Sequence, residues 1–405
     1  VIFYRVPAFP EVKMLLAECE RLDIETIFDV DDLIFDIKEY AKNSNVVSLD
    51  CEKKEELLNG VKLYRFTLEH CRHAIASTSV IAKFMEKYCR GQVYVVENCI
   101  DQQMYRLEKS ARLSSPLKDS GEIIIGYGSG TTTHDIDFQQ CSEALVRVMT
   151  KYPHVRLAIH GHLKLPEQLE RFNSRIFRVP FLKADDYFMA LSDFDVNLAP
   201  LEPSLFNDAK SNIKFLEGSM FGIPTVASAG ASFKQVIIHG ENGFLCSTPD
   251  EWFNALDALI RNKDLRNSIG QKASETAKTL YDYRKVAETQ VMPVIKNHLP
   301  PRENNKKVLV VNILFSPIAF GGATIVTEEL ANLVNQFSGM SVTIFSGFWD
   351  DGDTGIPFEE IVRYEVSGMN VFAIRFPKVS TQELEYRNPR IAEQFKDVLE
   401  CVQPD

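Results

Sequence analysis

The segment Asn207–Ser228, NDAKSNIKFLEGSMFGIPTVAS, gathers side chains able to hold a charged ligand: Lys210, Ser211, Lys214 and Glu217. Lys214 and Glu217 are three apart, so on a helix they share one face. Two ammonium groups beside a helix start suit a phosphate, because first-turn amides and the helix dipole favour an anion there. A carboxylate one turn further on suits the diol of a ribose. Together these types and spacings read as a nucleotide-sugar site. The plainer reading of the two lysines is a solvated helix face. Glu217 is harder to leave in solvent, because Phe215, Leu216, Met220 and Phe221 surround it in sequence. A half-buried carboxylate needs a partner, which a ligand diol or Lys214 would supply.

A second glycine-containing turn, Gly128-Ser129-Gly130-Thr131-Thr132-Thr133-His134-Asp135, follows an apolar run that reads as a strand. Glycine lets the backbone approach a ligand, and hydroxyls with exposed amides can grip a diphosphate. Ser129, Gly130 and Thr133 are the donor-site candidates here. The alternative is a tight turn in which Thr133 or Asp135 caps the next helix. His134 is a candidate catalytic residue, against the commoner role of a loop histidine as a hydrogen-bonding group. In FDVDDLIFD (Phe28–Asp36) carboxylates stand just past a strand end. Asp31 and Asp32 could bind acceptor hydroxyls or act as a base, or serve as loop and capping aspartates. The run lacks the glycine and terminal glutamate of a calcium loop, so no metal site is expected. Phe320-Gly321-Gly322-Ala323-Thr324 resembles a phosphate-binding turn, but the G-x-G-x-x-G spacing is absent, which weakens a dehydrogenase reading.

The elements that must position these residues fall into three blocks. Residues 1–110 alternate helix and strand, with strands expected at Val1–Tyr4, Glu25–Phe28, Ala74–Ser77 and Val93–Val96. A polar linker, Glu108–Gly121, leads to residues 121–297. Strands are expected there at Glu122–Tyr127, Val155–His160, Ile176–Val179, Val196–Ala199, Thr225–Ala227 and Gly243–Cys246, with helices between them and Lys263–Leu280 and Tyr283–Asn297 closing the block. Such alternation implies a parallel sheet with helices on both faces. A Pro- and charge-rich linker, LPPRENNKK, then precedes residues 306–405, which open like another Rossmann-type domain. The 405 residues suffice for two or three domains with proper cores.

A net charge of −11 argues against a nucleic-acid partner, since nothing supplies a phosphate-neutralising surface. The eight cysteines are scattered, with no C-x-x-C pair or zinc spacing, and read as reduced thiols. No apolar run approaches a membrane span, and VIFYRVPAFPEV lacks the marks of a signal peptide. A cytoplasmic location follows as an expectation. Val1 falls inside an apparent strand and the chain stops at Pro404-Asp405, so neither end reads as a natural terminus.

At these residues the chain resembles the family 4 glycosyltransferases, the retaining group of GT-B architecture. LAPLEPSLFNDAKSNIKFLEGSMFGIPTVAS is similar to that family's donor-site signature, and FYRVPAFPEV, IFDVDDLIFD and VVENCID resemble the later half of its acceptor-binding domain. VLVVNILFSPIAFGGATIVTEELANLV resembles the opening of another such domain. The resemblance implies two Rossmann-like domains facing each other across a cleft, the first incomplete, plus a partial third block. By the same resemblance Glu217 would hold the ribose, and Lys210 and Lys214 the diphosphate. There are departures. The family's first glutamate is replaced by Ala209, its basic residue after the first donor-domain strand is missing, and its catalytic histidine has no clear counterpart, Asp31 or Asp32 lying nearest.

Two arrangements explain the order of the blocks. A tandem of one transferase and the start of a second is favoured over a permuted single domain built from residues 307–405 and 1–110. The resemblance implies a cytosolic, metal-independent transferase, without cofactor, that moves a sugar from a nucleotide diphosphate to a glycan or lipid-linked acceptor with retention. Bacterial surface-polysaccharide assembly is the expected setting, with peripheral contact at the inner face of the membrane as part of that expectation. A non-catalytic nucleotide- or glycan-binding module is the alternative, and an epimerase is disfavoured because no pair of inverting carboxylates is evident.

Overall fold

The computed structural model describes residues 1–114, 121–129, 135–298, 307–314, 322–337, 340–349, 361–376 and 389–404. They fall into two compact units, one of Val1–Lys42, Leu49–Glu97 and Ala287–Asp405, the other of Asn43–Ser48 and Asn98–Val286. The strands in chain order are β1 (Ile2–Tyr4), β2 (Ile27–Val30), β3 (His73–Ala76), β4 (Val93–Val95) and β5 (Ile123–Ser129). They continue as β6 (Val155–Gly161), β7 (Ile176–Val179), β8 (Val196–Ala199), β9 (Thr225–Ser228) and β10 (Phe244–Cys246). The last are β11 (Lys307–Leu314), β12 (Ser341–Trp349), β13 (Ile361–Val366) and β14 (Met369–Phe376).

The second unit is built on a parallel sheet in the order β10-β9-β8-β5-β6-β7. Strands β5, β8 and β9 are buried along their whole length, as near-continuous apolar runs in a parallel sheet should be. Alternation within β5 feeds two cores. Ile123, Ile125 and Tyr127 pack with Phe138, Leu145, Trp252 and Leu256, whereas Ile124 packs with Leu191, Phe194 and Ile223. The helix Pro249–Arg261 that covers the first core begins with a capping box, Thr248 and Glu251 each bonding the other's backbone. Strand order reverses between β5 and β8, and at such a reversal the loops leave on opposite faces and open a crevice at the carboxyl ends of the strands.

The first unit's sheet runs β13-β14-β12-β11-β1-β2-β3-β4, all parallel except the β13–β14 hairpin. That hairpin closes on Ser367-Gly368, both at positive φ, the geometry that matches the twist of the paired strands. This sheet corrects the favoured tandem arrangement. Ile2 and Phe3 of β1 pair with Val310 and Val311 of β11, so residues 307–376 and 1–95 share one sheet instead of belonging to separate modules. The physical reason is that β1, buried at Phe3 and Tyr4, needs hydrogen-bonding partners on both sides, and β2 fills only one.

Two further expectations change. The stretch expected as linker from Glu108 is helix Gln102–Ser114, for its polar composition is that of a surface helix. The helix expected over Tyr283–Asn297 is interrupted: Tyr283–Val286 passes through a π-helical turn, Ala287–Val291, into Met292–His298. Pro293 has no amide hydrogen to continue an α-helical ladder, and the wider turn absorbs the mismatch. Among the described residues no helix is long and apolar enough to cross a membrane.

Leu309, fully buried in β11, gives a test of the shared sheet. Leu309→Ala should cost about 2–5 kcal/mol in denaturant unfolding and speed amide exchange in β1 as well as in β11. Unchanged exchange at Ile2–Tyr4 would mean that the two blocks fold independently.

Candidate functional site

At the reversal in the second unit, the carboxyl end of β5 lies beside the helix Ile213–Met220 that follows β8. This helix carries Lys214 and Glu217. The Lys214 ammonium donates to the Gly128 carbonyl at the end of β5 and sits 5.1 Å above the Tyr127 ring. Its own carbonyl accepts from Asn197 Nδ2 at 2.8 Å, and Asn197 also reaches Thr225. A polar residue inside β8 thus ties the helix's first turn to the sheet. Glu217 Oε2 accepts from the Tyr187 hydroxyl at 3.0 Å. Position 128 must be glycine for that contact: a Cβ there would stand 2.3 Å from the Tyr187 hydroxyl.

Burial lowers the Lys214 pKa, opposed by the nearby Glu217 charge. Burial likewise raises that of Glu217, opposed by Lys214 and by the Tyr187 hydrogen bond. The two charges therefore stabilise each other through space, and no ion pair within 4 Å joins them among the described residues. The Asn212 side chain does not cap this helix, and the Phe215 amide donates to the Asn212 carbonyl at 2.8 Å instead. The helix begins at Ile213, two residues after Ser211, whose hydroxyl accepts from Asn98 at 2.8 Å.

Lys210 is held differently. Its ammonium lies 3.5 Å from Asp137 Oδ2 and 5.8 Å from the Phe206 ring centre. Asp137, in the first turn of helix Asp135–Lys151, also accepts from the Glu202 amide and from Asn207 Nδ2, both at 2.9 Å. Ala209, where the resemblance implies an acid, is buried. Ser129 is buried too, and its hydroxyl donates to the His162 carbonyl at 2.5 Å. Gly130, Thr133 and His134 lie outside the described residues. Lys210, Lys214 and Glu217 are thus brought to one strand-end crevice, together with Asp137, Tyr187 and Asn197, which sequence reading did not single out. Asp137 carried the best available signal, an acid in a helix first turn just after a glycine turn. Tyr187 carried none.

In the first unit, Arg5 bridges both candidate acids, its Nη1 2.6 Å from Asp31 and its Nη2 3.0 Å from Asp32. Burial, and the neighbouring Asp32 charge, raise the Asp31 pKa against the pull of Arg5. Beneath them Asp29, in β2, is pushed up to about 8 by burial and by Asp31. Asp36 caps the short helix Ile37–Tyr40 and accepts from the Tyr88 hydroxyl. Away from these acids, Glu25, His73 and His298 come within metal-ligating distance of one another. The Gln92 amide, however, donates to His73 Nδ1, so the neutral ring carries its hydrogen on Nε2, which faces Glu25 at 3.4 Å. A protonated nitrogen suits a hydrogen-bonded pair and not a metal ligand.

The family model described as Glycosyl transferase-like matches residues 139–291. No curated protein matches the chain by sequence. Among solved structures, the Anabaena protein HepE in complex with UDP is similar at 15% identity and a TM-score of 0.51, covering 71% of this chain and 76% of that one. HepE in complex with UDP-glucose gives 16%, 0.50, 70% and 76%. Sucrose-phosphate synthase from Thermosynechococcus elongatus gives 17%, 0.50, 71% and 72%. The fold is that of the GT-B glycosyltransferases, with two parallel-sheet Rossmann-like units.

Asp29 generates a pH prediction. Between pH 4 and 8 the unfolded chain releases this proton while the folded chain keeps it, so stability present below pH 4 erodes as pH rises. Asp29→Asn should flatten that slope and resist urea better than the parent at pH 8, by on the order of a few kcal/mol. Identical pH slopes for the two proteins would rule out a neutral Asp29.

Proposed function

From a GT-B fold that contains a glycosyltransferase-like segment, we propose that this protein is a nucleotide-sugar-dependent glycosyltransferase with its donor site at the β5/β8 reversal. The observation that carries this reading is the convergence of Lys210, Lys214 and Glu217 on that crevice. In the proposed reaction the bond between the sugar's anomeric carbon and the diphosphate oxygen breaks, and its electron pair leaves with the nucleoside diphosphate. The acceptor hydroxyl forms the new glycosidic bond and yields its proton. Charge grows on the departing diphosphate, and fixed ammonium groups are worth most where charge develops in a water-poor site. Lys210 and Lys214 take that role, while Glu217, fixed by Tyr187, accepts from the ribose hydroxyls. Ser129, Gly130, Thr133 and Ser211 complete the donor loops, with His134, Asp31 and Asp32 as the catalytic candidates.

Retention, a glycan or lipid-linked acceptor, and a place in bacterial surface-polysaccharide synthesis at the cytoplasmic side of the membrane belong to the same proposal. They rest on the sequence resemblance. Buried Ala209 favours a second reading, a non-catalytic nucleotide- or glycan-binding module, because the acid that would contact the transferred sugar is absent.

UDP is the first ligand to try, since HepE holds it. A saturating excess over Kd, on the order of 100-fold, should stabilise the protein by about 2.7 kcal/mol and raise Tm. Lys214→Ala should abolish the shift and lower turnover of the matching UDP-sugar by roughly 100-fold or more. Unaltered binding and turnover in that variant would remove Lys214 from the site. A UDP shift without any transfer or hydrolysis would select the non-catalytic reading.

A further inference from the structure

Among the described residues, the buried carboxylate of Asp137 is the one acidic group that forms an ion pair with Lys210. Its side chain is 5% exposed and its Oδ2 lies 3.5 Å from the ammonium. Asp137 belongs to the helix after β5, whereas Lys210 belongs to the loop after β8. Its Oδ1 accepts from the Glu202 amide and from Asn207 Nδ2 at 2.9 Å, and Asn207 Nδ2 in turn reaches the Glu202 carbonyl at 2.9 Å. One carboxylate therefore ties the first turn of the helix after β5 to the segment that follows β8. A carboxylate beside a diphosphate site is electrostatically unfavourable for the anion, so its presence there calls for a different contribution. Lys210 is a long side chain with much rotamer freedom to lose, and its charge depresses the pKa of Lys214, so the two ammonium groups repel. Asp137 offsets that repulsion and gives Lys210 a fixed seat. In the first turn of its helix it is itself favoured by the dipole.

We propose that Asp137 is a positioning residue for the transfer step, which aligns the Lys210 ammonium, and the loop that carries it, with the leaving diphosphate. This rests on the donor-site reading above. It concerns a residue that would touch neither sugar nor nucleotide. An ammonium already seated needs no reorganisation when charge develops on the leaving group, so losing the seat lowers kcat more than it weakens binding of the ground state.

Asp137→Asn separates this contribution from the scaffold. The new amide oxygen can still accept from Glu202 and Asn207, whereas its NH2 faces the Lys210 ammonium donor to donor. The expected result is a kcat roughly 10-fold or more below the parent, with the UDP-sugar KM and UDP affinity unchanged or slightly better, because a negative charge has left the anion's surroundings. Tm should stay near the parental value. In a Lys210→Met background, adding Asp137→Asn should lower kcat by less than about 2-fold, because the group being positioned is gone. Full activity of Asp137→Asn, or an equal loss with and without Lys210, would overturn the proposal. So would a fall in kcat that merely tracks a drop in Tm. If Lys210→Met and Lys214→Met both leave UDP binding and turnover intact, the donor-site reading itself fails. If they impair turnover while Asp137→Asn does not, only the positioning role fails.

Discussion

The reversal of strand order between β5 and β8 is the constraint on which the second unit depends. Right-handed crossovers oblige the chain to leave these neighbouring strands toward opposite faces of the sheet. The two faces are visible as separate cores, one around Phe138 and Trp252, the other around Phe215, Leu216 and Met220. A gap at the strand ends is the geometric consequence, and its two walls are distant in sequence. The Lys214 ammonium on the Gly128 carbonyl and the Asp137 carboxylate on the Glu202 amide both span it. Each takes a charged group from one wall to the backbone of the other, so the same contacts that close the fold locally also set the charge at the crevice.

That charge is balanced, not simply positive. Lys210 stands against Asp137, and Lys214 lies within the influence of Glu217, which Tyr187 in turn holds. Burying an unpaired ammonium costs far more than burying one with an opposite charge nearby, and this explains how two lysines can sit close together at a sheet's edge. On the donor-site reading proposed above, an incoming diphosphate would meet ammonium groups already oriented, with most of their desolvation cost met during folding. The bulk charge of −11 is thus no guide to the local field.

The first unit applies the same strand logic to a different chain order. Strands β11, β12 and β14 lie on one side of β1, and β2–β4 extend the sheet on the other. Strand edges pair by backbone geometry and packing and not by position along the sequence, so the order of blocks does not limit which sheet they complete. Within that sheet, Arg5 bridges Asp31 and Asp32, and burial raises the pKa of the neighbouring Asp29, so the three acids are accommodated by a shared guanidinium and by favouring the neutral form of one.

Sequence by itself determined the alternation of strands and helices across residues 121–297, because continuous apolar runs and capping signals such as Thr248 with Glu251 are local. It also determined the pairing of Lys214 with Glu217 on one helix face, which follows from helical period alone. Only the tertiary structure decided that Asp137 joins Lys210 across 73 positions, that Tyr187 anchors Glu217, and that β11 lies against β1. Those contacts depend on which strands become neighbours, and strand pairing is a long-range choice that carries no periodic signature in the chain. Arg5 carries no local signal either, and the pairing of β1 with β2 sets it between two aspartates. What is written locally in a sequence is the shape of each piece, and the partners of its charged groups are fixed when the sheet order is.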